Sequence, residues 1–261
     1  MTKEIINRIT ILGTGNLATN IAIAFFKAGK EIVQIYGRNE NKTKQLAGKV
    51  NSSFINNLKE LNPETDIFFL CVSDSSLEKV LGELNLSEGF MVHTSGSVPA
   101  GIFKNYTNNY GVFYPVQTFS KTSIIDFKNV PICLEANNKK NIGRLTGLAK
   151  SISDNIRVMD SEARLITHIA AVFACNFTNH MYTIAEKILA DHKIDVDIIK
   201  PLIAETSRKV LNTSPWHVQT GPARRKDINI IEKHLSALDK YPEIKEEYIL
   251  ISRIIQNQYN H

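Results

Sequence analysis

Cysteine is scarce in this sequence, and what there is cannot staple a fold. Cys71, Cys133 and Cys175 are odd in number, far apart and without a C-x-x-C pair, which excludes a disulfide framework and a cysteine-rich zinc site. Cys71 and Cys133 are flanked by apolar residues and Cys175 follows Ala174, and all three read as buried, reduced thiols. His180, His192, His217 and His234 show no ligand spacing either, so no metal is expected. Long apolar runs are missing: none approaches the ~18 residues that suggest a membrane span. Met1–Glu4 lacks the apolar stretch of a leader, and a cytoplasmic protein with no membrane partner is expected. Charge of one sign is not in large excess. Lys and Arg number 31 against 26 Asp and Glu, a net charge of +5. No basic run exceeds Arg224-Arg225-Lys226, which argues against a nucleic-acid partner and leaves a mild preference for an anionic ligand. Repeats and low-complexity tracts are absent.

What is present is an ordinary globular composition, 43% hydrophobic and 22% charged over 261 residues, enough for one large domain or two modest ones. The pattern changes character once. Up to Met159, short apolar runs alternate with helical stretches. The runs are Ile9–Leu12, Glu31–Tyr36, Ser53–Ile55, Asp66–Val72, Phe90–His93, Tyr110–Tyr114, Val130–Leu134 and Arg157–Met159. Near-continuous apolar strands separated by helices predict an α/β fold, a doubly wound and mostly parallel sheet covered on both faces. After Asp160 helical periodicity dominates. One long helix spans Ser161 to about Ala190, and three more follow over Val196–Leu211, Ile228–Leu238 and Glu243–Gln258. The expected organisation is an α/β domain over 1–159 and an all-α domain over 160–261, with Asp160 or Ser161 capping the long helix.

Gly13-Thr14-Gly15-Asn16-Leu17-Ala18 reads G-x-G-x-x-A, directly after a strand and opening a helix, the context a dinucleotide loop requires. Gly13 permits the tight turn, Gly15 lets backbone approach a pyrophosphate, and Ala18 keeps helix and sheet close. The helix N-terminus offers N–H groups to the phosphates. An NAD site carries an acid at the end of the second strand. Here that end reads Tyr36-Gly37-Arg38-Asn39, and Arg38 falls 20 residues past Ala18, where a guanidinium suits a 2′-phosphate. The cofactor expected is NADP, held also by Asn39. The strand ends at Val72-Ser73 and Thr94-Ser95 border the same crevice, where small hydroxyl residues leave room for a nicotinamide; Ser73 and Thr94 can equally be helix caps.

Longer motifs carry a resemblance. The G-x-G-N-L-A loop, C-V-S-D at 71–74, H-T-S-G-S-V-P at 93–99 and Y-P-V-Q-T-F-S at 114–120 belong together. So do H-I-A-A-V-F-A-C-N-F at 168–177 and T-G-P-A-R-R-K-D at 220–227. Together they resemble Rossmann-like proteins whose C-terminal part is known as domain of unknown function 2520, similar to pyrroline-5-carboxylate reductase and to deazaflavin-dependent NADP oxidoreductases. The resemblance covers essentially the whole chain. It implies an NADP-type Rossmann domain, a helical dimerisation domain and a substrate cleft between them, but no particular substrate. Tyr114 departs from it, since relatives tend to carry His before this Pro.

Reduction of a carbonyl or imine by hydride needs a proton source. His168 is the first candidate, a polar ring among apolar neighbours that is either an acid–base group or a satisfied core histidine. Asn176 lies eight residues further, about 80° round and about 12 Å along an ideal helix, and could flank the same ligand. Related hydroxyacid dehydrogenases carry a Lys four residues before this Asn; Val172 stands there, so a Lys-based mechanism is unsupported. Ser95 is a third candidate. Thr220 and Arg224, in a basic loop between helices, suit an anionic substrate group or form a solvated turn; pyrroline-5-carboxylate reductase receives its substrate carboxylate at a comparable loop. The expected function is hydride transfer between NADP(H) and a small anionic carbonyl or imine. A non-catalytic NADP-binding sensor and a deazaflavin-linked NADP oxidoreductase are the alternatives. The long helix, with Ala170, Ala171 and Ala174 on one face, predicts a homodimer.

Overall fold

The structure, a computed structural model, describes residues 5–84 and 86–259. Met1–Glu4, read above for a leader, lies outside them. By internal contacts the chain divides into two compact units, Met1–Asn176 and Phe177–His261.

The first unit is a Rossmann-like α/β fold. Its strands are β1 (Arg8–Leu12), β2 (Glu31–Tyr36), β3 (Ser53–Ile55), β4 (Ile67–Leu70), β5 (Phe90–His93), β6 (Asn109–Pro115), β7 (Ile132–Ala136) and β8 (Ile156–Val158). They form one sheet in the order β3-β2-β1-β4-β5-β6-β7-β8. All neighbours are parallel except β6 and β7, which pair antiparallel. Helices α1 (Asn16–Lys27), α2 (Glu40–Lys49), α3 (Asp74–Glu83) and α4 (Lys139–Ala149) cover it. β1 lies between β2 and β4, so the strand order reverses there. A crevice opens at such a point, beyond the carboxyl ends of the strands.

The strands are apolar because both faces are covered: all four residues of β4 and of β5 are buried. On α1 the buried set Ala18, Ile21, Ala22 and Phe25 repeats with helical period. The rings of Phe25, Phe69 and Phe113 meet with centroids 5.2–5.7 Å apart. Each fully buried side chain of this size stabilises the fold by roughly 1.5–3 kcal/mol.

Asp160 caps the next helix, α5 (Ser161–Ala171), accepting from the Ala163 N–H at 2.9 Å. The change of pattern at Met159–Ser161 is therefore a helix start, while the first compact unit continues to Asn176 because α5 is tied to the sheet through Arg164. Residues Val172–Phe177 form a π-helical segment, and α6 (Thr178–Asp191) continues from it. The single regular helix expected from Ser161 to Ala190 thus carries a π-bulge. A residue of a π turn advances less round the axis than one of an α turn, so the angle drawn between His168 and Asn176 for an ideal helix does not hold.

The second unit, taken by itself, contains no strand among its described residues. After α6 come α7 (Lys200–Asn212), α8 (Pro215–Val218), α9 (Pro222–Arg225), α10 (Ile228–Ala237) and α11 (Pro242–Gln258). The short α8 and α9 lie between the helices expected from the periodicity; each starts on a proline, whose fixed φ suits a first helical position. Only Ala223, Leu238 and Tyr241 are buried among the described residues of this unit.

One expectation about cysteine is corrected. All three thiols are free, but only Cys133 is a buried residue; Cys71 and Cys175 are partly exposed. Cys71 follows β4 at the crevice, partly exposed as a residue but with its thiol turned inward, and Cys175 stands on the π segment. No described helix is long and apolar enough to cross a membrane.

Candidate active site

The glycine loop leaves β1 at the centre of the sheet. The Gly13 N–H donates to the Tyr36 carbonyl at 2.8 Å, with φ at +133°. A Cβ there would stand 2.2 Å from the Cys71 carbonyl oxygen, so only glycine fits. Gly15 is different: nothing lies within 4 Å of where its Cβ would be. That open space above the backbone is what a pyrophosphate needs. No side chain caps α1 and no acid stands in its first turn, so its N–H groups remain for an anion. Ala18, fully buried, closes the helix onto the core.

Gly13, Thr14 and Gly15 border a cavity of about 400 Å³ that extends over the end of β2. Arg38, Asn39, Lys42, Ser73, Ser76 and Lys79 line it too, with Glu83 the one acid among its lining residues. Asn39 also caps α2, accepting from the Lys42 N–H at 3.0 Å. The Arg38 side chain is exposed. Sequence reasoning missed Lys42, Lys79 and Gly37. Lys42 was visible as a cation one turn past Arg38. Gly37 is needed because a Cβ would meet Thr43 Oγ1 at 2.4 Å and Thr14 Cγ2 at 2.7 Å.

A second cavity of about 370 Å³ shares Gly15, Cys71, Val72 and Ser73 with the first. Asn16, Leu17, Ala18, Asp74, Thr94, Ser95, Gly96, Tyr114 and His168 complete its wall. His168 Nδ1 lies 3.0 Å from the Tyr114 phenol oxygen. The ring packs on Gly96, where a Cβ would stand 2.7 Å from Cγ. One turn earlier Arg164, 1% exposed, holds α5 in place. It pairs with Glu135 of β7 and donates to the Val98 carbonyl at 2.6 Å. Ser161 joins the network, donating to Glu135 and accepting from the Ala100 N–H at 3.1 Å. Arg164, Glu135 and Gly96 had no local signature; their roles arise from contacts distant in sequence.

The other candidates differ in what they can do. Ser95 Oγ donates to Asp74 at 2.8 Å and accepts from the Ser97 and Val98 N–H groups at 3.1 and 3.0 Å, a full complement for one hydroxyl. Ser73 Oγ lies 2.8 Å from Ser76 Oγ. Burial pushes the pKa of the Cys71 thiol up to about 12, with the Thr94 side chain opposing. That thiol keeps its proton at neutral pH. Burial pushes the Tyr114 phenol up as well, with Cys133 adding and Arg164 opposing. His93, beneath the site, is held down at about 3 by burial and by Arg164, and so stays neutral. Asn176 is exposed on the π segment and lines neither cavity. Thr220 and Arg224 belong to the second unit. Thr220 borders an apolar groove there, and the Arg224 guanidinium lies 4.5 Å over the Tyr259 ring, which stacks on Trp216. Among the described residues no group of three or more His, Cys, Asp or Glu could hold a metal.

Comparison with known proteins agrees with this geometry. Residues 130–255 match the model of a domain of unknown function, DUF2520, and residues 8–94 match that of coenzyme F420-dependent NADP oxidoreductases. No curated protein matches the sequence. Among solved structures, an assigned NADP oxidoreductase from Bacteroides fragilis is 40% identical over 96% of this chain and 98% of its own, with a TM-score of 0.92. The imine reductase of Myxococcus stipitatus, solved with NADP+, shares the fold at 11% identity and a TM-score of 0.71, over 97% of this chain and 100% of its own. The 1-pyrroline-5-carboxylate reductase of Streptococcus pyogenes does so at 13% and 0.61, over 96% and 98%. With its glycine loop, its Arg38 in place of an acid and its similarity to the Bacteroides protein along the whole chain, the protein belongs to the Rossmann-like NADP oxidoreductases that carry a C-terminal DUF2520 domain.

Proposed function

We propose that the protein reduces a small anionic carbonyl or imine with NADPH, or runs the reverse reaction, in the cavity beside His168. The observation that carries this reading is the pair of adjoining cavities. They share the wall from Gly15 to Ser73, with Arg38 and Lys42 lining one and the His168–Tyr114 pair lining the other. The residues fit the cofactor: the open backbone at Gly15 receives the pyrophosphate, and Arg38 with Lys42 receives the 2′-phosphate. Ser73 and Thr94 border the nicotinamide end. When bound, NADPH supplies a hydride. The chain supplies orientation, a walled cavity and a proton. A cavity of about 370 Å³ suits a small substrate better than a three-ring deazaflavin. A titratable pair at that wall favours chemistry over a purely sensing role.

In the second unit, the Arg224 guanidinium over the Tyr259 ring is a group able to pair bidentately with a carboxylate. The apolar residues exposed on the second unit support a homodimer, and three free thiols fit a reducing, cytoplasmic setting. The test is NADPH oxidation followed by absorbance across a panel of cyclic imines, 2-keto acids and a deazaflavin. Turnover of an imine or keto acid is expected. Turnover of the deazaflavin alone, or of nothing, sinks the reading.

A further inference from the structure

The polar side chains around the second cavity are mostly bound to one another. Ser95 Oγ is filled by Asp74 and two N–H groups, and Ser73 is tied to Ser76. Tyr114 instead pairs with a group that can carry a proton on either of two nitrogens. Its phenol is 9% exposed, lines the cavity, and meets the His168 Nδ1 at 3.0 Å. A Cβ on Gly96 would stand 2.8 Å from that nitrogen, so the Nδ1 edge is enclosed by the Gly96 backbone and the phenol. A ring nitrogen so placed can exchange its proton with the phenol, and the partly exposed ring keeps Nε2 as its second proton site.

We propose that Tyr114 is the proton donor of the reaction and that His168 resupplies it. This rests on the oxidoreductase reading above. As the substrate carbon takes a hydride and its two electrons from NADPH, the C=O or C=N π bond breaks and its electron pair moves to oxygen or nitrogen. That atom takes the phenol proton. The O–H electron pair stays on the Tyr114 oxygen, which takes the proton from His168 Nδ1 while Nε2 takes one from solvent. The substrate is thereby reduced and the pair keeps its charge, with the imidazole proton moved from Nδ1 to Nε2. Once product has left, the Tyr114 phenol passes its proton to Nδ1 and takes another from solvent while Nε2 returns one, which resets the pair. The charged and titratable groups facing the phenol are Cys133 from β7, directly across in register, and Arg164 and His168 from α5. Their net effect with burial is a phenol that keeps its proton at neutral pH, as a donor must.

Tyr114→Phe removes one oxygen and keeps the ring. In the cofactor-free protein the imidazole ¹⁵N resonances of His168 are expected to move on this change; an unmoved Nδ1 overturns the pair. NADPH affinity, read by fluorescence, should stay within about twofold. Turnover of whichever imine or keto acid the parent reduces should fall by about 10²–10⁴, the range for loss of a general acid. His168→Asn, whose amide can still hold the phenol but passes no proton, should fall similarly, and the double variant no further. Parent-like turnover in Tyr114→Phe removes Tyr114 as donor and leaves the oxidoreductase reading standing. A parent inactive on the whole panel removes the reading and this proposal together. Should Tyr114→Phe misfold, 3-fluorotyrosine at 114 makes the phenol a stronger acid at nearly the same volume; an unchanged rate then overturns the proposal.

Discussion

Arg38 is the residue proposed to select between cofactors, by its charge. Nothing acidic ends β2, and Arg38 and Lys42 both line the cavity there. Charge-assisted hydrogen bonds to a phosphate contribute about 1.5–3 kcal/mol, so Arg38→Asp should weaken NADPH roughly 10- to 100-fold. NADH should be spared or improved, because a carboxylate accepts from the ribose hydroxyls that the 2′-phosphate would replace. Fluorescence titrations of both cofactors decide it; equal affinities in the parent would refute the assignment. His93 acts through solvation. It is fully buried, accepting from the Ser95 N–H at 3.2 Å, with its pKa held at about 3 against 6.5 in the open chain. Below pH 6.5 the unfolded chain therefore binds a proton that the folded one refuses, and stability falls as pH falls. From pH 7 to pH 5 this amounts to about 2 kcal/mol. His93→Gln should remove that part of the loss in urea titrations at the two pH values; an identical loss in the variant would count against it. At this scale the glycine loop and Arg38 were legible because their chemistry is local. The pairing of Tyr114 with His168 was not, because it joins β6 to α5 across 54 positions and depends on how the helix is set against the sheet.

The setting of α5 is the work of a buried ion pair. Arg164 holds Glu135, the Val98 carbonyl and Ser161 together, one turn before His168. Replacing one member leaves the other charge without its partner, which for a buried pair costs about 3–5 kcal/mol. Arg164→Ala should fall at the lower end, since the Glu135 side chain is 21% exposed. Arg164→Met combined with Glu135→Gln should recover much of the loss, because no charge is then stranded. Urea midpoints measure both; a single variant as stable as the parent would show that the pair contributes little. The elements themselves follow the apolar pattern closely: Glu31–Tyr36, Ser53–Ile55 and Phe90–His93 are strands over the same residues expected from it. The π segment at Val172–Phe177 was not foreseeable, since a change of backbone hydrogen-bond spacing leaves the side-chain pattern nearly helical. β7 begins at Ile132, two residues later than its apolar run, because Pro131 has no N–H to give the ladder.

At the scale of the whole molecule the two units differ in how they hide apolar surface. The sheet unit is dense with fully buried residues, whereas the described part of the second unit buries only three. Ile198, Leu202 and Leu211 stand 69%, 65% and 83% exposed on one stretch of chain, and Ile254 of α11 is exposed as well. Single exposed apolar side chains are ordinary, but so many in a unit that buries so few suit cover by another molecule. A second copy is the occupant that is always present at matching concentration, and two-fold dimers are the commonest closed assembly. Light scattering should therefore give twice the 29.3 kDa chain mass at micromolar concentration. Ile198→Glu with Leu202→Glu adds charge at positions already exposed in one chain, so it should leave the fold intact by circular dichroism. In the dimer the same charges would be buried without partners, and the particle should shift towards 29.3 kDa. A parent that scatters as a single chain would refute the dimer. A double variant that remained fully paired would place the interface elsewhere on the second unit.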